Sequence, residues 1–231
     1  MKKMKRFAAL ALALGLTLTL GACNQGISTF DAKAYIEGML KQTYLGEFDE
    51  GYLTLVDSNE EEAQTNYENS LDVESQFFCY FYDIEYPTDK QMEQLRDLYG
   101  RIYAHAKFEV VSAAKQDDGS FSVKLSIEPI NIVQLAEAKL GEALEPFYTK
   151  YENADINNMT DEEYKAYDQE YAQIIIDTYE SVMSEIGNEE AKTLSVQIEE
   201  DEDGYFGLAD DDFDRIDALI INYDVSDVEG Q

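Results

Sequence analysis

Phe121-Ser122-Val123-Lys124-Leu125-Ser126-Ile127-Glu128 alternates an apolar with a polar residue over its whole length. That period of two places Phe121, Val123, Leu125 and Ile127 on one face and the polar residues on the other. It is the pattern of a strand with one face on a core and one in water. Phe108 to Ala114 makes a partner for it, joined through Asp117-Asp118-Gly119, a turn signal, and Pro129 ends the strand. Further on, Leu194, Val196 and Ile198 alternate with Ser195, Gln197 and Glu199. Asp201-Glu202-Asp203-Gly204 then turns the chain into Tyr205-Phe206, the expected fourth strand.

Around these strands the period changes to that of helices. Tyr35, Ile36, Met39, Leu40 and Tyr44 share one face, with Glu37 and Lys41 placed to pair across a turn. Gly46 interrupts this helix, and Phe48, Tyr52, Leu53 and Val56 form a shorter stripe. Capping boxes are read at Ser58–Glu61, Thr88–Gln91 and Thr160–Glu163. The helices they open carry Ala63, Tyr67, Leu71, Phe78 and Phe81; then Leu95, Leu98, Ile102 and Tyr103; then Tyr164, Tyr171, Ile174, Ile175, Val182 and Ile186, stopping at Gly187. A helix from about Ile132 turns Leu135, Leu140, Leu144 and Phe147 inward, and a last one, opened by Asp210 to Asp212, does so with Phe213, Ile216 and Ile220. Residues 108–147 and 193–221 share the order strand, acidic turn, strand, helix. The expected fold is α+β, several helices packed on one face of a small antiparallel sheet made of two β-hairpins. In element order this resembles the cystatin-like and NTF2-like folds.

The chain begins with a basic cluster, Lys2, Lys3, Lys5 and Arg6, followed by an uncharged run from Phe7 to Leu20. That is the layout of a secretory signal. The run is about 14 residues, short of the roughly 20 that a membrane-crossing helix needs. It ends in Leu20-Gly21-Ala22-Cys23, which resembles the lipobox of bacterial lipoproteins. The resemblance implies cleavage before Cys23, a thioether-linked diacylglycerol on its sulfur, and a lipid anchor on the extracytoplasmic face of the cell membrane. Two acyl chains hold stably where one is marginal. The expected organisation is a signal peptide over 1–22, lipidated Cys23 and a tether over 23–29, and a single acidic domain over 30–231. Phe30-Asp31-Ala32-Lys33-Ala34-Tyr35 and Tyr44-Leu45-Gly46-Glu47-Phe48-Asp49 are similar to stretches of uncharacterised Gram-positive lipoproteins, a group that supplies no catalytic residues to carry over.

Seventeen basic residues against 49 acidic give a net charge of −32. The leader holds four of the basic ones and no acid, so the remaining 209 residues carry −36. Such charge argues against nucleic acid and against lying on an anionic lipid surface, and makes counter-ions matter to stability. Disorder, the usual consequence of high net charge, is opposed by 17 Tyr, 11 Phe and the regular apolar periodicity.

Few residues offer chemistry. With Cys23 lipidated, Cys79 has no intrachain partner, and inside Phe77-Phe78-Cys79-Tyr80-Phe81-Tyr82 it reads as a buried small hydrophobe. His105, the single histidine, ends a helix and reads as structural. No phosphate-cradling glycine loop or dinucleotide fingerprint occurs. Glu199–Gly204 and Asp210-Asp211-Asp212 with Asp214 are the densest acidic runs, but their spacing is not that of an EF-hand; they read as a solvated turn and a helix start, so no metal or cofactor is expected. Tyrosine, in excess with no Trp beside it, reads mainly as core, with a subset able to line a pocket for a sugar or peptide. The expected function is a non-enzymatic binding or interaction module of unknown ligand, held to the membrane by its anchor. The alternatives are a carboxylate-based hydrolase of cell-envelope polymer and a cation-responsive structural domain.

Overall fold

The computed structural model describes residues 27–202, 204–209 and 211–225. The leader, Cys23 and most of the tether therefore lie outside the described residues. Among these there are seven α-helices and one four-stranded antiparallel sheet. Within the stretch read as one domain the chain gathers into two compact units.

Of the described residues, the first unit comprises 27–73, 106–129 and those within 188–220. Its sheet runs β1 (Lys107–Lys115), β2 (Phe121–Glu128), β3 (Lys192–Glu200) and β4 (Phe206–Leu208), in that order. The two hairpins join through β2 and β3, with Phe121 opposite Ile198, Val123 opposite Val196 and Leu125 opposite Leu194. The four apolar side chains of β2 are fully buried, as the alternation requires. Helix α1 (Thr29–Leu40) packs on β1 and β2 and α7 (Asp212–Ile220) on β2 and β3. The inner face of α1 buries Tyr35, Ile36, Met39 and Leu40, and α7 buries Phe213, Ile216 and Ile220.

After α1 the chain widens into one π-helical turn, Lys41–Leu45, closed by Gly46 in the left-handed region at φ 61°. The turn keeps Tyr44 inward, and Glu37 and Lys41 pair at 2.7 Å. Gly38 has a different reason to lack a side chain: a Cβ there would stand 2.2 Å from the ring of Tyr52, on α2 (Glu50–Leu55). Helix α3 (Glu60–Phe81) begins in this unit.

Of the described residues, the second unit comprises 74–105, 130–187 and 221–225. It holds the last turns of α3, then α4 (Asp89–Tyr103), α5 (Ile132–Tyr151) and α6 (Asp161–Val182). Capping boxes open α4 at Thr88 and α6 at Thr160, each with reciprocal bonds between cap and third residue. Leu95, Leu98, Ile102 and Tyr103 of α4 and Leu140, Leu144 and Phe147 of α5 are buried. The segment after α7 lies against these helices: Ile221 bridges Ile130, and Gln134 donates to the carbonyls of Asn222 and Asp224.

Three local expectations are corrected. The cap of α3 is Asn59, whose Oδ1 accepts from the Glu62 N–H at 3.1 Å, while the Ser58 hydroxyl donates to the Glu62 carboxylate. Helix α6 ends at Val182 and gives way to a 3-10 turn, Met183–Glu185, before Gly187 is reached. The fourth strand starts at Phe206, leaving Tyr205 exposed. The two stretches 108–147 and 193–221 keep the expected order of strand, turn, strand, helix, with α5 in the helical unit and α7 in the sheet unit.

Candidate functional site

Cys79, on α3, is 7% exposed, with its Sγ 3.8 Å from Met92 Sδ. Burial, reinforced by the negative charge of Asp168, pushes its thiol up to about 11. It therefore stays protonated at neutral pH and is a packing residue, since the thiolate is the reactive form. His105 is exposed, two residues past the end of α4, with its backbone N–H on the Ile102 carbonyl.

The acidic runs divide. Asp201 shapes the turn, its Oδ1 accepting from the Tyr205 N–H at 2.9 Å. Asp212 is only 5% exposed; it accepts from the Gln197 N–H at 2.6 Å and pairs with the Arg215 guanidinium. It is a first-turn acid of α7, buried as a clamp between that helix and β3. Asp203 and Asp210 lie outside the described residues, among which no three His, Cys, Asp or Glu side chains gather as a metal site. Asp168 of α6 is also buried, and its carboxylate accepts from the backbone N–H groups of Glu85 and Tyr86, the latter at 2.7 Å.

The tyrosines of the helical unit form two sets. Inside, the Tyr82 hydroxyl donates to Glu137 at 2.8 Å and sits 2.8 Å from the Tyr179 hydroxyl. Tyr223 donates to Glu74 at 3.3 Å and sits 3.2 Å from Tyr99. A phenol has one proton to give, so each set reads as a relay in which one tyrosine donates to a second and the second to a carboxylate. The Phe78 ring packs edge-on against Tyr99 and Tyr179. Burial raises the pKa of all four hydroxyls, so these relays hold protons rather than move them at neutral pH.

Outside, where α5 ends, α6 begins and the loop after α3 passes, four rings form a row. Tyr86 meets Tyr164 edge to face at 6.0 Å; Tyr164 stacks beside Tyr167 at 6.2 Å; Tyr167 meets Tyr151 at 4.8 Å. Phe147 lies beneath, 4.8 Å from Tyr167 and 5.0 Å from Tyr151. Tyr86 is 40% exposed and neighbouring Tyr148 54%. Asp168 sets the row's far end by holding the backbone of Tyr86. Tyr151 is fixed through its hydroxyl, which donates to Glu170 at 2.9 Å.

No family model matches the chain, and no curated protein matches it. Among solved structures it is similar to YcdA of Bacillus subtilis, a candidate lipoprotein, with a TM-score of 0.53 and 13% sequence identity. The match covers 83% of this chain and 56% of that one, so the chain spans little more than half of that protein. At such identity the likeness is one of fold.

The excess of tyrosine is plain in the sequence, but the row is not, because its members come from three separated segments. A signal does exist: Phe147 and Tyr151 are four apart, and Tyr164, Tyr167 and Tyr171 keep three- and four-residue spacing. Each set therefore shares one helix face. Which helices face each other is a tertiary fact, and so is the arrival of Tyr86.

Proposed function

We propose that this chain is a lipid-anchored binding module displayed on the extracytoplasmic face of a cell membrane, meeting its ligand through the tyrosine row of its helical unit. The observation that carries the binding half is the row itself: ring faces from three segments, fastened by Asp168 and Glu170 and open to solvent at Tyr86. The anchor half rests on the basic, apolar and small-residue order that ends at Cys23. The fold-level similarity to a candidate lipoprotein supports it. Among the described residues no helix is long and apolar enough to cross a membrane.

Fractionating cells that express the full chain or Cys23→Ser tests the anchor. The wild-type protein is expected in the membrane fraction with a diacylglycerol mass on Cys23, and the variant is expected to leave it. An unmodified Cys23 sulfur in the native protein overturns the anchor. Turnover of a cell-envelope polymer by the purified full chain overturns the binding role in favour of a hydrolase.

A further inference from the structure

Phe30 stands in the first turn of α1 and is 78% exposed, the most open of the large apolar side chains among the described residues. The inward face of that helix is Ala32, Tyr35, Ile36 and Met39. Phe30 lies on the opposite face, where Lys33 and Ala34, both half-buried, follow one turn on. A single exposed apolar ring needs no explanation by itself. Its place in the chain gives it one. It comes seven residues after Cys23, and seven residues fully extended span at most about 25 Å. The headgroup layer of one leaflet is roughly 5–8 Å deep. With Cys23 held by its lipid, the ring always stays close to the bilayer.

Charge decides whether the ring can touch it. A net charge of −32 repels an anionic leaflet. At physiological salt, however, exposed charges more than about 8 Å apart are largely screened, so the local balance rules. From Cys23 to Phe30 no residue is charged. Asp31 is the first, and its carboxylate accepts from the N–H and the hydroxyl of Ser28 at 2.8 and 2.7 Å. Further along, Glu37 is met by Lys41, and Lys33 offsets Asp31. Helices elsewhere open differently: α3 on Glu60, Glu61 and Glu62, and α6 on Asp161, Glu162 and Glu163. The start of α1 is a patch of this acidic chain that meets lipid without local repulsion.

We propose that the first turn of α1 is a second contact with the bilayer that holds Cys23. Phe30 enters the boundary between headgroups and acyl chains, where interfacial helices lodge their apolar side chains, and Lys33 faces the lipid phosphates. The proposal rests on the anchor half of the reading above and adds the surface through which the sheet unit meets the membrane. The contact is one helical turn, so the acidic remainder stays in water. Detached, one ring does not hold so acidic a chain to a membrane. Beside the anchor the step is intramolecular, and a preference of roughly tenfold for lipid over water keeps the ring seated.

The chain contains no Trp, so Phe30→Trp places a lone reporter at the contact. The test takes the full lipidated chain into vesicles of phosphatidylcholine and phosphatidylglycerol, with and without bromine on the acyl chains. Trp at this position should emit blue-shifted and lose most of its emission to the brominated lipid. Tyr205→Trp, on an exposed turn of the same unit, should emit as in water and keep its intensity. Adding Lys33→Glu should weaken the quenching of the Phe30→Trp reporter on these vesicles and leave it unchanged on neutral phosphatidylcholine. Hydrogen exchange reads the native ring: on vesicles the first turn of α1 should exchange several-fold more slowly in wild type than in Phe30→Ser, while the two melt alike. A chain that floats with the vesicles but leaves Phe30→Trp unquenched overturns the contact and leaves the anchor standing. Equal quenching of the two reporters also overturns it, as does equal exchange in wild type and Phe30→Ser. A chain that fails to float and carries no lipid mass on Cys23 overturns the anchor and the contact with it.

Discussion

Tyr82 and Tyr52 carry the same hydroxyl into opposite circumstances. That of Tyr82 bridges Glu137 and Tyr179. That of Tyr52, on a side chain 2% exposed, has no hydrogen-bond partner among the described residues. Removing the first strips two neighbours of a bond, and Tyr82→Phe should cost about 1–2 kcal/mol. Removing the second relieves a desolvated polar atom, so Tyr52→Phe should be neutral or stabilising by up to about 1 kcal/mol. Urea midpoints at unchanged slope decide it, and equal losses for both variants would refute the contrast. Asp217 offers a pH-dependent case. Its carboxyl accepts from the Tyr44 hydroxyl at 3.0 Å, yet desolvation pushes its pKa up to about 6, with the charge of Asp214 adding to the rise. An unfolded aspartate titrates near 3.9. Between those values the folded chain holds a proton that the unfolded chain has released. The stabilising contribution of Asp217 is therefore present below about pH 4 and is lost as the pH rises through about 6. Asp217→Asn should stabilise the protein at pH 7 by on the order of 2 kcal/mol, with the gain vanishing near pH 4. A variant less stable than wild type at pH 7 would show the carboxylate to be favourable after all.

Helix starts and strand alternation were legible because they are written in neighbouring residues. The Thr88 and Thr160 boxes form as their spacing predicts, and the buried face of β2 is its apolar set. At the start of α3, two capping residues stand side by side, and composition cannot choose between Ser58 and Asn59. The geometry chooses Asn59, so Asn59→Ala should cost about 1 kcal/mol and Ser58→Ala about half that or less. Thermal melts of the two variants check the order, and the reverse order would restore the one-residue-earlier cap. β1 was harder to read than β2 because of a bulge. Its register shifts between Val110 and Ser112, leaving Val111 exposed and breaking the alternation midway. The acidic run at the start of α7 opens that helix as read, but which of several adjacent aspartates turns inward depends on where Gln197 of β3 presents its N–H. The tyrosine row was hidden in the same way, since it exists only once α5, α6 and the loop after α3 are brought together.

Charge is the property that no single contact explains. Were every basic residue of the chain paired, thirty-two acids would still stand in excess. The ion pairs present are mostly between exposed partners, such as Lys139–Glu185 and Lys107–Glu128, and pairs of that kind contribute only about 0–1 kcal/mol. The dominant electrostatic effect on the folded chain is therefore diffuse repulsion, opposed by the buried sheet face and the aromatic interior of the helical unit. Repulsion of this kind is screened as the Debye length falls from about 30 Å at 0.01 M to about 10 Å at 0.1 M. Raising NaCl across that range at pH 7 should stabilise the protein by about 2 kcal/mol, or about 4–8 °C in melting temperature. At pH 4.5, where many carboxylates are protonated, the gain should be smaller. The comparison that matters is with CaCl₂ at equal ionic strength. If the acids act only as a distributed charge, the two salts give overlapping curves over the lower part of the range. A site that gathers several carboxylates around one ion gives calcium an added shift that saturates at low concentration. Overlap is the expected outcome, and a saturating excess for calcium would turn the acidic surface from a background into a binding site.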